Sequence, residues 1–220
     1  MKIEKAAVAN ARQHTIYKTK DGLRRPGVTT VLGVIDKPAL RYWANNLGLQ
    51  GIKMQEYTDA LAGIGKLAHL MILHHLKGDD APTMNGHTPD QVSLAENCFL
   101  KFLSWEKAHK VKPIHVEMSL VSEQHLFGGT FDFYGEIDGA LTLMDFKTGK
   151  GIYEDYWYQL GGYRILLDEH VIPCASHRIL NIGRDETENF FEESRDDLSR
   201  EKRVFHAALE LYEAVKEMKR

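Results

Sequence analysis

The sequence of 220 residues is poor in several features, and each scarcity excludes a class of protein. It contains only two cysteines, Cys98 and Cys174, so four-cysteine zinc and iron–sulfur clusters are excluded and at most one disulfide can form. The longest apolar run, residues 67–76, is too short to cross a bilayer and contains three histidines. No secretory signal precedes the cysteines, so we expect a reducing cytoplasmic compartment and no membrane partner.

Net charge is also small, because 28 Lys and Arg oppose 31 Asp and Glu for a formal charge of −3. This balance excludes a histone-like polycation and, with 43% hydrophobic residues, is typical of a globular domain. The charges are unevenly distributed. Residues 1–30 contain seven Lys and Arg against two acids, whereas residues 185–197 contain seven acids against one Arg. We therefore expect a polyanionic partner to meet the N-terminal end.

Hydrophobic periodicity predicts a mixed α/β fold. Helices are predicted over 64–77, 90–110, 155–168 and 195–220, with a further helix start over 38–47 and with Asp90 as an N-cap. Strands are predicted over 15–18, 114–121, 130–137, 141–146 and 177–182. Helices followed by a β-meander, another helix and another strand indicate a sheet covered by helices.

The domain organisation follows from the absence of a clear linker. Residues 78–89 collect Asp, Pro, Asn, Gly and Thr, but apolar patterning resumes on both sides, so we interpret them as a surface loop. We expect a single domain over 1–220, with a basic N-terminal extension (1–50), a core (51–183), and an acidic loop with a C-terminal helix (184–220).

The most informative segment is a predicted hairpin with acidic residues in both strands. Two alternating runs flank Asp138-Gly139, the dipeptide preferred in a two-residue type I′ turn. That turn sets Asp132 directly opposite Asp145, with Lys147 two residues further on the same face. Opposed carboxylates repel each other unless a positive charge lies between them. The pattern therefore predicts a cation site beside Lys147.

The same alternation predicts one buried apolar face, formed by Phe131, Phe133, Ile137, Met144 and Phe146. The alternative is that both acids are solvated on an exposed face and that Lys147 is their surface ion pair. Asp is uncommon in strands, and two in register with a lysine favour the cation site. Carboxylates and a carbonyl, here that of Phe146, are the oxygen ligands that Mg²⁺ or Mn²⁺ prefers.

These residues resemble the PD-(D/E)XK nuclease superfamily, and in particular its RecB-like exonuclease branch. The matching segments are Gly-Gly-Thr-Phe-Asp at 128–132 and Asp-Phe-Lys-Thr-Gly at 145–149, with Phe131 in place of the family's proline. Upstream, Gly65 and His69 match a Gly-x-x-x-His helix motif, and Glu117 matches a first-strand Glu. Downstream, Gln159 and Tyr163 match a Gln-x-x-x-Tyr helix. Segments 26–32 and 37–43 resemble phage-encoded exonucleases and the mitochondrial genome maintenance exonuclease.

The resemblance implies a restriction-endonuclease-like α/β core with a mixed central sheet flanked by helices. It implies a metal-dependent DNA exonuclease that cuts from DNA ends and leaves 5′-phosphate and 3′-hydroxyl products. The implied metal ligands are His69, Asp132, Asp145 and the Phe146 carbonyl, binding Mg²⁺ or Mn²⁺ without an iron–sulfur cluster. Lys147 would orient the attacking water, Glu117 would bind a second ion or a metal-bound water, and Gln159 and Tyr163 would fix Lys147 or a DNA phosphate.

Structural roles are alternative interpretations for several of these residues. His69 is alternatively a hydrogen-bonded core histidine, Glu117 a partner of a neighbouring lysine, and Gln159 and Tyr163 are helix packing residues. A possible DNA path consists of Lys18, Lys20, Arg24 and Arg25 as phosphate contacts, or else as a solvated charged face, with Tyr158 among the aromatic residues that could stack on bases.

The expected partner is DNA, either single-stranded or at duplex ends. The sequence lacks the phosphate-binding loop of nucleoside triphosphatases, so any coupling to unwinding needs a helicase or recombinase supplied in trans. The phage-like motifs indicate a viral or prophage origin, and we expect a phage-encoded chain to act in the host cytoplasm. Two alternatives remain at this point: a structure-specific endonuclease on the same fold, and a non-catalytic nucleic-acid-binding module.

Overall fold

The computed structural model describes residues 15–219. Its strands are β1 (Tyr17–Lys18), β2 (Arg24–Arg25), β3 (Val111–Val121), β4 (Gly128–Ile137), β5 (Ala140–Thr148), β6 (Ser176–Ile182) and β7 (Phe191–Arg195). Its helices are α1 (Val28–Leu32), α2 (Pro38–Leu49), α3 (Met54–Lys77), α4 (Pro89–Ala108), α5 (Glu154–Glu169) and α6 (Ser199–Glu217). No helix among these residues is long and apolar enough to span a membrane.

A five-stranded sheet in the order β3-β4-β5-β6-β7 forms the centre of the fold. Strands β5 and β6 run parallel, and the other neighbouring pairs are antiparallel, so the sheet is mixed. Helices α3 and α4 pack on one face, and α1, α5 and α6 pack on the other. The predicted α/β class with a mixed sheet between helices is confirmed.

Each face of the sheet has its own hydrophobic core. On the α3–α4 side the largest fully buried side chains are Leu67, Ile72, Leu73, Phe102, Phe133, Ile137 and Met144. On the α5–α6 side they are Phe127, Phe131, Leu143, Trp157 and Phe205. A central strand covered on both faces has no solvent-exposed face, which is why consecutive residues of β4 and β5 are buried.

The prediction of a single buried face is therefore wrong, and Phe131 shows why. Its ring lies edge-on to Tyr163 of α5, with 6.4 Å between centroids, whereas Phe133 packs on the α3–α4 side. The β4–β5 ladder ends at Phe133, so residue 131 lies beyond the paired part of the hairpin.

The hairpin register itself is confirmed. Asp138 and Gly139 have φ angles of 52° and 89°, as both central residues of a type I′ turn require. Ile137 pairs with Ala140, and the ladder continues in the predicted register. Local turn chemistry is sufficient to fix this part of the site.

Several predicted boundaries shift. Helix α3 begins at Met54, ten residues before the predicted start, and its first turns are mostly exposed. The N-cap of α4 is Thr88, not Asp90: the Thr88 hydroxyl accepts from the N–H of Gln91, whose side chain accepts from the N–H of Thr88. The acidic segment after residue 184 contains strand β7, which pairs with β6, and α6 begins only at Ser199.

The N-terminal segment is part of the fold where it is described. Strands β1 and β2 form a hairpin, and Val28 and Val31 of α1 are buried in the α5–α6 core. Tyr17 lies flat against β4, where its hydroxyl is 3.0 Å from Thr130 Oγ1. The first 14 residues of the expected basic extension lie outside the described residues.

We expect Gly128→Ala to destabilise this attachment. A Cβ at residue 128 would lie 2.4 Å from Cγ of Tyr17, so the ring would have to move. The expected loss is about 1–3 kcal/mol of unfolding free energy, measured by urea or thermal unfolding. Gly48→Ala in the exposed α2 is the control, because a Cβ there meets open space. Equal stability of G128A and the wild type would contradict the close packing of Tyr17.

Candidate active site

The site begins where strands β4 and β5 part. The ladder ends at the pair Phe133 and Met144, one pair short of the predicted pairing of Asp132 with Asp145. Asp132 Oδ2 accepts a hydrogen bond from the N–H of Phe146 at 3.0 Å. In a continued ladder the carbonyl of Phe131 would accept that N–H. The Asp132 carboxylate thus substitutes for the ladder and lies between the two strands.

Helix α3 brings an imidazole to the same carboxylate. His69 Nε2 lies 3.0 Å from Asp132 Oδ1, and the His69 ring is edge-on to Phe146. One turn earlier, Gly65 permits this approach, since a Cβ there would be 2.7 Å from Thr148 Oγ1. The Gly-x-x-x-His motif therefore consists of a contact residue and a functional side chain on one helix face.

On the other side, Asp145 and Lys147 meet helix α5. Lys147 Nζ is 2.5 Å from Asp145 Oδ2 and donates to Gln159 Oε1 at 3.0 Å. Gln159 Nε2 in turn donates to Asp145 Oδ1 at 3.2 Å and to the Tyr163 hydroxyl at 2.8 Å. Gln159 thus connects the acid and the amine directly, while Tyr163 supports Gln159 from a buried position.

The two carboxylates have opposite pKa shifts. Burial alone would raise the pKa of Asp132, but the nearby His69 and Lys147 and the Phe146 N–H outweigh it and lower the pKa to about 2. Burial and repulsion from Asp132 raise the pKa of Asp145 to about 6, despite the opposing effect of Lys147. Asp132 is therefore ionised readily, whereas ionisation of Asp145 is favoured by additional positive charge beside it.

Among the described residues, the buried atoms His69 Nε2 and Asp145 Oδ2 have charged neighbours, Asp132 Oδ1 and Lys147 Nζ, but neither contact has hydrogen-bond geometry. Among residues 15–219, no three His, Cys, Asp or Glu side chains are already gathered as a metal-binding group. One imidazole, two carboxylates and the Phe146 carbonyl nevertheless form a donor set of the type that Mn²⁺ and Mg²⁺ accept. These residues fit a divalent cation whose remaining ligands are water or substrate oxygens.

The cluster lines a cleft of about 1360 Å³. Positively charged residues at the cleft wall include Arg24, Arg25, Lys66 and Lys150. In the part of the chain that the structure describes, none of these four forms an ion pair with a carboxylate. Their charge is therefore available to an anionic ligand.

The predicted DNA contacts divide into two groups. Arg24 and Arg25 line the cleft, whereas Lys18 and Lys20 do not, and the Lys20 N–H donates to Glu123. Tyr158 also lies outside the cleft lining and packs against the α5–α6 core.

Two other tyrosines, Tyr153 and Tyr156, line the cleft in place of Tyr158. Spacing explains the difference: Tyr156 and Tyr163 are separated from Gln159 by three and four residues, which places all three on one helix face. Tyr158 directly precedes Gln159 and points elsewhere. Trp157 is buried, with the Arg195 guanidinium 4.2 Å from its ring centroid.

Glu117 lines the cleft but contacts a lysine. Its carboxylate lies 3.0 Å from Lys77 Nζ, which is the alternative that the sequence left open. Glu117 has a φ of 58° and lies between the β3 residues that pair with Phe133 and Phe131, opposite Asp132. Left-handed backbone at a residue other than glycine is costly and is found often at functional sites.

Comparison with known proteins yields structural neighbours only. No protein-family model and no curated protein sequence matches the chain. Among solved structures, it is similar to a predicted exonuclease from Eubacterium rectale, with 10% identity and a TM-score of 0.51 over 71% of this chain and 69% of that one. At this identity the likeness supports the fold alone, a mixed sheet flanked by helices.

Two further structures are similar over more of the chain but at lower scores. A phage-related exonuclease from Haemophilus somnus is 14% identical over 88% of this chain and 96% of that one, with a TM-score of 0.39. An alkaline exonuclease from Laribacter hongkongensis, also solved with dAMP, is 15% identical over 89% of this chain and 92% of that one, with a TM-score of 0.37. At such scores neither likeness carries an argument about this chain.

Proposed function

We propose that the chain is a divalent-metal-dependent deoxyribonuclease that hydrolyses phosphodiester bonds from DNA ends. The proposed products carry 5′-phosphate and 3′-hydroxyl groups, and the proposed setting is a cytoplasm in which any helicase or recombinase acts in trans. One observation supports this most strongly. Asp132, Asp145, Lys147 and His69 come from three different elements, yet they meet in one cation-lined cleft.

The proposed metal ligands are His69, Asp132, Asp145 and the Phe146 carbonyl. A bound Mg²⁺ or Mn²⁺ supplies Lewis-acid polarisation of the phosphate and acidifies the attacking water. Two of these ligands have a buried atom, His69 Nε2 and Asp145 Oδ2, whose ion-pair contact within residues 15–219 does not have hydrogen-bond geometry. Unsatisfied buried polar atoms are costly, and a ligand that satisfies them offsets that cost.

The other residues act on water and phosphate. Lys147 directs its ammonium group toward Asp145, where it orients the attacking water and offsets negative charge that develops on the phosphate. Gln159 fixes the positions of both Lys147 and Asp145 through its two amide atoms. Glu117 is proposed to bind a second ion or a metal-bound water after release from Lys77.

Linear and circular DNA separate the proposed exonuclease from an endonuclease. We expect end-labelled linear DNA to be degraded in Mg²⁺ or Mn²⁺ and to persist in EDTA, while circular single-stranded DNA stays intact. Opening of the circle would favour the structure-specific endonuclease. Binding without any cleavage in either metal would favour the non-catalytic module.

Replacing Arg24 and Arg25 by Ala should weaken DNA binding. Both residues line the cleft and form no ion pair with a carboxylate of residues 15–219, so each can contact a phosphate. We expect affinity to fall about 10-fold and the slope of log K against log salt to decrease by about one unit for each lost phosphate contact. Fluorescence anisotropy at several salt concentrations measures both quantities. The control is R200A/R203A on α6, outside the cleft lining, and an unchanged slope in R24A/R25A would remove these residues from the DNA path.

A further inference from the structure

The aromatic ring of Tyr156 covers the lysine of the site. Lys147 Nζ lies 5.0 Å from the Tyr156 ring centroid, within the range of a cation–π interaction. Tyr156 is one helical turn before Gln159 on α5, so one face of this helix presents both groups to the same amine. The Gln-x-x-x-Tyr motif includes Gln159 but not Tyr156.

We propose that Tyr156 is a positioning residue that keeps the Lys147 ammonium directed at the reacting phosphate through the face of its ring. The proposal rests on the proposed nuclease function. It concerns a residue that touches the lysine and not the metal ligands.

The argument starts from the flexibility of lysine. A lysine ends in a point charge on a four-carbon stem, and its ammonium group has no fixed fork geometry. Two contacts here are polar, to Asp145 and to Gln159, and both lie toward the protein. The Tyr156 ring provides the third side, and Lys147 is left only partly exposed to the cleft. Removal of the ring would admit water and allow the amine to turn away from its position.

A second contact fixes the ring. Tyr153 packs edge-on against Tyr156, with 5.5 Å between centroids and an angle of 80° between planes. This edge-to-face arrangement is favourable for aromatic pairs and sets the orientation of the Tyr156 face. Tyr153 is itself 54% exposed, so it acts as an outer support for the half-buried Tyr156.

The ring and the hydroxyl of Tyr156 have separable roles. No hydrogen bond joins the Tyr156 hydroxyl to another residue in the range 15–219, whereas the ring face meets the amine. The proposal therefore requires an aromatic ring at this position and does not require the hydroxyl. A role in catalysis by the hydroxyl would require the opposite.

The test compares Y156F, Y156L and Y156M on linear DNA in the metal that supports wild-type cleavage. We expect Y156F to retain wild-type kcat, and Y156L and Y156M to lose about 10-fold in kcat with KM and DNA affinity unchanged. Thermal unfolding checks each variant, and Y156M keeps most of the apolar volume if Y156L folds poorly. Rescue by Phe distinguishes a ring contact from general packing.

Three results would overturn the proposal. A loss of kcat in Y156F would assign the role to the hydroxyl. A change confined to KM or DNA affinity in Y156L would make the ring a base-stacking surface. Wild-type kcat in both Y156L and Y156M would leave Tyr156 without a role. Absence of cleavage by the wild-type protein is a separate result, which would refute the proposed nuclease function itself.

Discussion

Lys147→Ala is expected to reduce DNA cleavage by at least about 10³-fold while DNA binding in EDTA stays within a few-fold of wild type. The Lys147 ammonium is in direct contact with Asp145 and Gln159, at the point where the two strands part. Loss of a group that positions a nucleophile and stabilises developing charge typically costs 10²–10⁴ in rate. Single-turnover cleavage of end-labelled DNA measures the rate, and anisotropy measures binding.

The control for this variant is Lys112→Ala. Lys112 lies on β3, pairs with Glu136 and is outside the cleft lining, so its replacement removes the same charge elsewhere on the sheet. We expect K112A to cleave at the wild-type rate. A K147A protein that cleaves DNA as fast as K112A would show that the amine is not part of the chemistry.

Asp132→Asn is expected to weaken Mn²⁺ binding by at least about 100-fold and to abolish the metal-dependent rise in melting temperature. The change is nearly isosteric, and the Asn carbonyl oxygen can still accept the Phe146 N–H that Asp132 accepts. The loss of Mn²⁺ affinity therefore reports the removed charge. A ligand that binds only the folded state raises its stability by mass action, so lost Mn²⁺ binding also removes the rise in melting temperature. Calorimetry with Mn²⁺ and thermal unfolding with and without Mn²⁺ measure the two effects.

Asp138→Asn is the matched control for Asp132→Asn. Asp138 belongs to the same hairpin, but it lies in the turn, and Asn-Gly is as well suited to a type I′ turn as Asp-Gly. D138N should bind Mn²⁺ as the wild type does. Equal Mn²⁺ affinities of D132N and D138N would exclude Asp132 as a ligand.

The raised pKa of Asp145 gives metal binding a pH dependence. Burial and the Asp132 charge raise that pKa to about 6 in the metal-free protein, so a proton must leave before a cation binds. Below about pH 6 the proton competes, and Mn²⁺ affinity should fall as pH decreases from 7 to 5. Calorimetry in buffers of different ionisation enthalpy would also detect the released proton. A Mn²⁺ affinity that is constant over this range would contradict the assignment of Asp145.

The central acids could be placed from the sequence because the information is local. Asp138-Gly139 determines the turn, the turn determines the register, and the register places Asp132 near Asp145. The register predicted from the turn does not include the separation of the two strands beyond Phe133. That separation lets the Asp132 side chain accept the Phe146 N–H, and the side chains that complete the site, His69 and Gln159, come from α3 and α5 outside the hairpin.

Other features depend on tertiary contacts that leave little trace in a pattern. Strand β7 contains Glu192 and Glu193 and reads as an acidic loop, yet it pairs along β6, where Glu192 forms an ion pair with Arg178. Alternation predicts one face for Phe131 and Phe133, but the regular β4–β5 ladder ends at Phe133 and Phe131 packs in the opposite core. The position of Tyr156 in the site could have been predicted from its helical spacing to Gln159. The pairing of Glu117 with Lys77 could not, because these residues are 40 positions apart in the sequence and lie on different elements.

The most direct test of this account is the anomalous scattering of Mn²⁺ in crystals grown from a preparation that degrades linear DNA. We predict a peak bounded by the carboxylates of Asp132 and Asp145, the Phe146 carbonyl and His69 Nε2, and its disappearance in D132N crystals. A fully active preparation whose Mn²⁺ binds elsewhere, with these four groups bare, would contradict the proposed site.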